Sequence, residues 1–171
     1  MLSALFARLT GNPRRGQGLF NLAVAEARRT GWFVEGEVPD TVNGRFAVLA
    51  TIIALLTVKL EREGEAGKEA SVALTERLVE SLDAEIREMG LGDPTLGKQV
   101  RRLIGAVGGR VDRWRVLVES NGSWTEEVRQ SLYLNEATQT EALAYSESAL
   151  RKLWQRVSDS SVEELADGRM R

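Results

Sequence analysis

From Phe46 to Val58 the chain runs thirteen residues without a charge, and its apolar side chains fall on two faces of a helix rather than one. Phe46, Leu49, Ile53, Leu56 and Leu60 form one stripe at spacings of three and four, and Val48, Ile52 and Leu55 form a second. A helix apolar on both sides has to be surrounded by other elements. The run is shorter than the roughly 20 residues that cross a bilayer, so it is expected at the centre of a helical fold. Asp40 is the expected N-cap, its carboxylate accepting the free amide of Asn43, and the helix should reach about Glu63.

The remaining helices follow from the same periodicities. Leu2, Leu5, Phe6 and Leu9 predict a short amphipathic N-terminal helix, ended by Gly11-Asn12-Pro13 and followed by a linker through Gly18. A helix is expected from Leu19 to Arg29 with Gly31 in its C-terminal flank, then a short aromatic segment, Trp32–Val38. After Gly64–Gly67 a helix should reach Met89, with Val72, Val79, Leu82, Ile86 and Met89 on its apolar face. Gly90 suits the left-handed C′ position and Leu91 the apolar contact of a Schellman ending. Asp93 and Pro94 suit the cap and first turn of a helix over Thr95–Glu119, which should pack antiparallel to its predecessor. Its apolar side is Val100, Leu103, Ile104, Val107, Val111, Trp114 and Val118. Asn121-Gly122 breaks the chain, and Ser123 with Glu126 reads as a capping box for a helix to Leu134. A last helix is expected over 137–157, leaving 158–171 frayed. The fold class is all-α: one compact domain of about six helices over 19–157, preceded by the amphipathic helix and linker 1–18.

Composition narrows the chemistry. The 171 residues include no Cys and no His, and the formal net charge is −2. Thiolate nucleophiles, disulfides and imidazole ligands or bases are therefore absent, and the common serine, cysteine and zinc hydrolase sites cannot be built. Carboxylate chemistry, with or without magnesium, stays open. The near-neutral charge gives no general attraction to nucleic acid or anionic membranes, so an electrostatic partner must meet a local patch. No acid precedes Glu26, while Arg8, Arg14 and Arg15 do. Organelle transit peptides share that composition, but a bacterial cytoplasmic start accounts for it better.

Between Thr95 and Val118 stand Lys98, Arg101, Arg102, Arg110, Arg113 and Arg115 against Asp112 alone, whereas Glu61–Asp93 holds ten acids and four bases. The contrast is met either by modest pairing on a solvated face or by phosphates or lipid headgroups at a basic patch over 96–115. No interleaved aromatics favour base stacking, so sequence-specific RNA recognition is not expected. Gly105, Gly108 and Gly109 lie in the same helix, each costing about 1 kcal/mol relative to alanine. Gly105 and Gly109 share a face that would let another helix backbone approach; a bend or an internal contact is the competing reading. Arg87, Glu88 and Asp93 crowd one corner of the hairpin, first as a structural polar network and only second as a carboxylate–magnesium pair. Trp32, Trp114, Trp124 and Trp154 read as core.

Two blocks, Val38–Phe46 and Leu82–Asp93, carry a family likeness. With Trp32 upstream and Gly109-Arg110 downstream, the chain resembles the ubiquinol–cytochrome c chaperone family of mitochondria and alphaproteobacteria over roughly Leu19–Arg115. The resemblance implies an all-helical, non-catalytic protein without cofactor. In mitochondria such a protein sits near the ribosomal exit tunnel with a small partner, receives newly made cytochrome b and holds it for haem insertion and complex III assembly. Pro39, Asp40, Gly44, Arg45 and Phe46 match one family motif; Arg87, Glu88, Gly90, Gly92 and Asp93 match the other. Apart from Gly92, these residues, with Trp32, Arg101, Arg102, Gly105, Gly109 and Arg110, are the candidate partner-binding set. The chain departs from the family pattern at Val107-Gly108, where aromatics are usual, and around Thr51-Ile52, where a histidine is common. Expected partners are cytochrome b or another hydrophobic client, the exit-tunnel region of the ribosome and a peripheral membrane contact. Expected locations are the bacterial cytoplasm beside the inner membrane, or the mitochondrial matrix of a eukaryote. The competing functions are a ribosome- or membrane-surface adaptor working through 96–115 and a carboxylate-dependent metal enzyme.

Overall fold

The computed structural model describes residues 15–171 apart from 89, 91, 92 and 121. The expected N-terminal amphipathic helix, and the parts assigned to Met89, Leu91, Gly92 and Asn121, lie outside the described residues. The elements are α1 (Gln17–Ala27), a 3₁₀ turn (Thr30–Trp32), α2 (Val42–Glu61), α3 (Gly64–Glu88), α4 (Asp93–Ser120), α5 (Thr125–Tyr133), α6 (Thr140–Asp159) and α7 (Val162–Ala166).

Helix α2 is the axis of the fold, as its two apolar stripes require. It packs against α1, α3, α4, α5 and α6. Ile52, Ile53, Leu55, Leu56 and Leu60 are fully buried along it, each worth about 1.5–3 kcal/mol relative to exposure. The helix is long and apolar enough to cross a membrane, yet 67% of its most apolar stretch is buried against the other helices. That is the behaviour of a core helix.

The start of α2 differs from expectation in one atom's reach. Its cap is Thr41, in extended backbone, whose Oγ1 accepts the Gly44 amide at 3.1 Å. Asp40, one residue further out, turns instead to Arg45, with Oδ1 2.6 Å from Nε. A methyl group on Gly44 would collide with the Pro39 carbonyl oxygen, so the close turn into α2 requires glycine there.

Helix α1 ends at Ala27, and Gly31 is not its left-handed terminator. Gly31 sits in the 3₁₀ turn, where the Tyr145 hydroxyl of α6 occupies the space a Cβ would need. The break before α3 is shorter than expected, because Gly64 alone takes the left-handed turn (φ +67°) and Gly67 is already helical. Val72, placed on the apolar face by periodicity, is exposed; the buried face is Ala73, Leu74, Leu78, Leu82 and Ile86. Gly90 adopts the expected left-handed conformation (φ +78°), and its amide donates to the Arg87 carbonyl at 2.9 Å.

Helix α5 starts at Thr125 without the capping box assigned to Ser123 and Glu126. Ser123 Oγ accepts from the Thr125 amide at 3.4 Å, and Glu126 pairs with Arg129 at 3.6 Å. The box occurs instead at Ser161 and Glu164, where it starts α7. Residues 158–171, expected to be frayed, close the fold. Leu165 is fully buried, α7 packs on α1 and α3, and the Arg171 amide donates to Ser160 Oγ at 3.0 Å. Among the described residues the architecture is all-α in a single compact domain, the short α7 being the helix periodicity could not register.

Thr41→Ala should lower unfolding stability by about 1 kcal/mol, read from urea denaturation. Gly44→Ala should cost more because of the collision, and Asp40→Asn should lower the midpoint only slightly, since the Asp40–Arg45 pair is exposed.

Candidate partner-binding surfaces

The first motif block builds the passage from α1 into α2. Trp32 is buried, and its indole Nε1 donates to the Glu26 carbonyl at 2.8 Å while its own carbonyl accepts the Val38 amide at 3.0 Å. Pro39 and Gly44 set the close turn; Arg45 holds Asp40 and lies 5.7 Å above the Phe33 ring. The Arg45 guanidinium holds the Asp40 carboxyl below its usual range. Phe46 is half-buried against the core. These residues come together, but as a frame.

The second block is more dispersed. Arg87 pairs with Asp83 one turn back at 2.7 Å, and Glu88 is exposed. Among the described residues no three acids gather where they could hold a metal ion.

Helix α4 runs through Gly105, Gly108 and Gly109 without a break. Among the described residues nothing lies within 4 Å of a Cβ built on Gly105 or Gly108, so no described element demands those two glycines. Its cations divide by position. Arg113 Nε bonds both Glu127 oxygens at 2.9 and 3.0 Å, and Arg115 pairs with Glu61 and Asp112 at 2.8 Å each. Lys98, Arg101 and Arg102 are exposed and meet no carboxylate among the described residues; Arg102 Nε donates to Gln99 at 2.9 Å. Only the N-terminal half of the expected basic patch is therefore free. Of the pairing expected between the Glu61–Asp93 segment and α4, Arg115–Glu61 forms, while Arg77–Glu80 and Arg87–Asp83 close within α3.

Arg110 is not a surface residue at all. It is 5% exposed, with Nη1 donating to the Ala106 carbonyl at 3.0 Å and Nη2 to the Ser131 carbonyl of α5 at 2.8 Å. Burial, and then the neighbouring Arg113 charge, push its pKa below the ordinary guanidinium value. Ser131 Oγ accepts from Trp114 Nε1 at 3.2 Å and donates to Glu127 at 2.5 Å. This network staples α4 to α5, and Trp114 stacks edge-on against Trp124 with centroids 4.9 Å apart. Trp32, Trp114 and Trp124 are buried, and Trp154 lies partly covered beneath Arg62.

One feature escaped the motifs. The loop at Glu37–Pro39 and the α5–α6 loop at 136–139 enclose a cleft of about 290 Å³ floored by Tyr133. The Tyr133 hydroxyl donates to the Gly36 carbonyl at 2.5 Å and meets Ser146 Oγ at 2.7 Å; its burial raises its pKa. Pairing of two loops a hundred residues apart leaves no local pattern to read.

The described residues thus define a class: a helical domain organised around one buried axis, with its motif residues spent on turns, caps and inter-helix bonds. A family model described as ubiquinol–cytochrome C chaperone matches residues 35–171, and the chain belongs to that family. It is accordingly a chaperone, not an enzyme, of the ubiquinol–cytochrome c system, with a role in complex III assembly. The match takes in α5–α7 and starts beyond Trp32. Comparison with curated proteins returns no match. The fold is similar to the crystal structure of the Cbp3 homolog from Brucella abortus, with a TM-score of 0.76 and 23% sequence identity, covering 98% of this chain and 94% of that one.

Arg110→Met should destabilise the domain by about 2 kcal/mol, since hydrogen bonds from a charged donor are lost. Arg101→Glu should leave the denaturation midpoint in place, and the contrast separates frame from surface.

Proposed function

We propose that the chain binds newly made cytochrome b and holds it for complex III assembly, through apolar and shape contact and without nucleotide turnover. The observation that carries this reading is the family match over residues 35–171. The proposed place of work is the bacterial cytoplasm beside the inner membrane, where the client inserts. A second reading, an adaptor on the ribosome or an anionic membrane surface, is favoured by the exposed Lys98, Arg101 and Arg102 on α4.

Crosslinking in a native host, followed by identification of the captured chains, tests both. The expected catch contains cytochrome b, persists at high salt, and is matched by loss of complex III on deletion. Capture of ribosomal or lipid-surface partners alone, abolished by Arg101→Glu with Arg102→Glu, would favour the adaptor. Intact complex III after deletion, with no cytochrome b recovered, would contradict the proposal.

A further inference from the structure

Of the six large apolar side chains that stand exposed among the described residues, four lie in two segments that face one another. Val34 (68% exposed) and Val42 (77%) flank the loop after the 3₁₀ turn, while Leu134 (50%) and Tyr145 (38%) belong to the end of α5 and to α6. The cleft lined by Glu37, Pro39, Tyr133 and Glu136 joins the two segments. Tyr133 and Tyr145 tie them, the first through its bond to Gly36 and the second through its contact with Gly31. Exposed apolar side chains on two segments that meet at a cleft mark a contact surface more than scattered ones do.

Charge selects the occupant. Glu35, Glu37, Glu136 and Glu141 stand exposed on these same segments, and none is ion-paired among the described residues. Of the neighbouring cations, Arg29, Arg45 and Arg129 are engaged with Glu26, Asp40 and Glu126, while Arg28 is exposed without an ion pair among the described residues. What sets this corner apart is that two of these acids, Glu37 and Glu136, line the cleft itself. Such a field attracts a cation at low salt and orients it.

We propose that this cleft and the exposed apolar side chains of its two flanking segments dock a Lys/Arg-bearing apolar segment, of the kind that flanks a membrane-spanning helix on its cytoplasmic side. Such flanks carry an excess of Lys and Arg beside leucine-rich helix ends, which supplies both halves of the complement. The inference rests on the reading that the client is a membrane protein, and it assigns to the client's basic flank a surface separate from α4. The exposed apolar side chains of the flanking segments take the helix end, and Glu37 and Glu136 take the cations at the cleft.

The test titrates the full chain against a labelled leucine–serine peptide ending in Lys-Lys-Arg, with a counterpart ending in Glu-Glu-Glu, by fluorescence anisotropy. The basic peptide should bind about tenfold or more tightly than the acidic one at low salt, with the margin shrinking as salt rises. Glu37→Gln with Glu136→Gln should weaken it about fivefold, as should Val34→Ser with Leu134→Ser, while Glu76→Gln on α3 leaves it unchanged. All these positions are exposed, and circular dichroism confirms that each variant is folded. Equal affinity for the two peptides, or full affinity in the charge variant, overturns the proposal. A photocrosslinker at Leu134 separates it from the function proposed above. Cytochrome b captured at Leu134 supports both, whereas capture from Gly105 on α4 and not from Leu134 overturns the cleft alone.

Discussion

Burial of α2 on every side is the constraint from which the rest of the molecule follows. A helix with aliphatic side chains on both faces cannot rest on a single neighbour, and α1, α3, α4, α5 and α6 each take a share of it. Once five helices have to surround a sixth, their outer faces become the molecular surface and their connections gather at the two ends. The Tyr133 cleft forms among those connections. The same apolar length would suit a bilayer, but here other helices stand where lipid would.

The family motifs serve this construction. Pro39, Thr41 and Gly44 fix the angle at which the chain turns into α2, and Trp32 anchors the loop before it through both its indole and its carbonyl. Arg110 lies inside, joining α4 to the last turn of α5. A buried cation without a direct carboxylate partner is costly unless its donors are used, and two of its nitrogens bond carbonyls. Residues that mark a family can thus be those that hold its frame, leaving the partner surfaces to less constrained positions.

How much was legible depended on whether the signal was local. The all-α class, the buried α2, the tryptophan core and the left-handed Gly90 all follow from periodicity or from a single turn. Boundaries one step away were harder. Asp40 and Thr41 are both good caps, and only the backbone conformation decides which oxygen reaches the Gly44 amide. Gly31 looked like a terminator because glycine usually is one there, yet a tyrosine from α6 is what demands it. Helix α7 has five residues, too few for a stripe; its Ser161–Glu164 capping box is a local signal that could have marked it, while the burial of Leu165 that holds it is not. Arg110 and Arg101 look alike in a basic helix; the angular offset of nine residues sends one inward and the other out.

A protein of this family acts through what its surface meets, so the rigidity of the frame behind that surface is what its function requires. Amide hydrogen exchange followed residue by residue tests this most directly. If α2 is the axis, the amides from Ala50 to Val58 exchange only through global unfolding, at a free energy equal to the equilibrium stability, while 33–39 and 134–139 open locally at much lower cost. Exchange in the middle of α2 as fast as in those loops, with α4 still protected, would contradict the account.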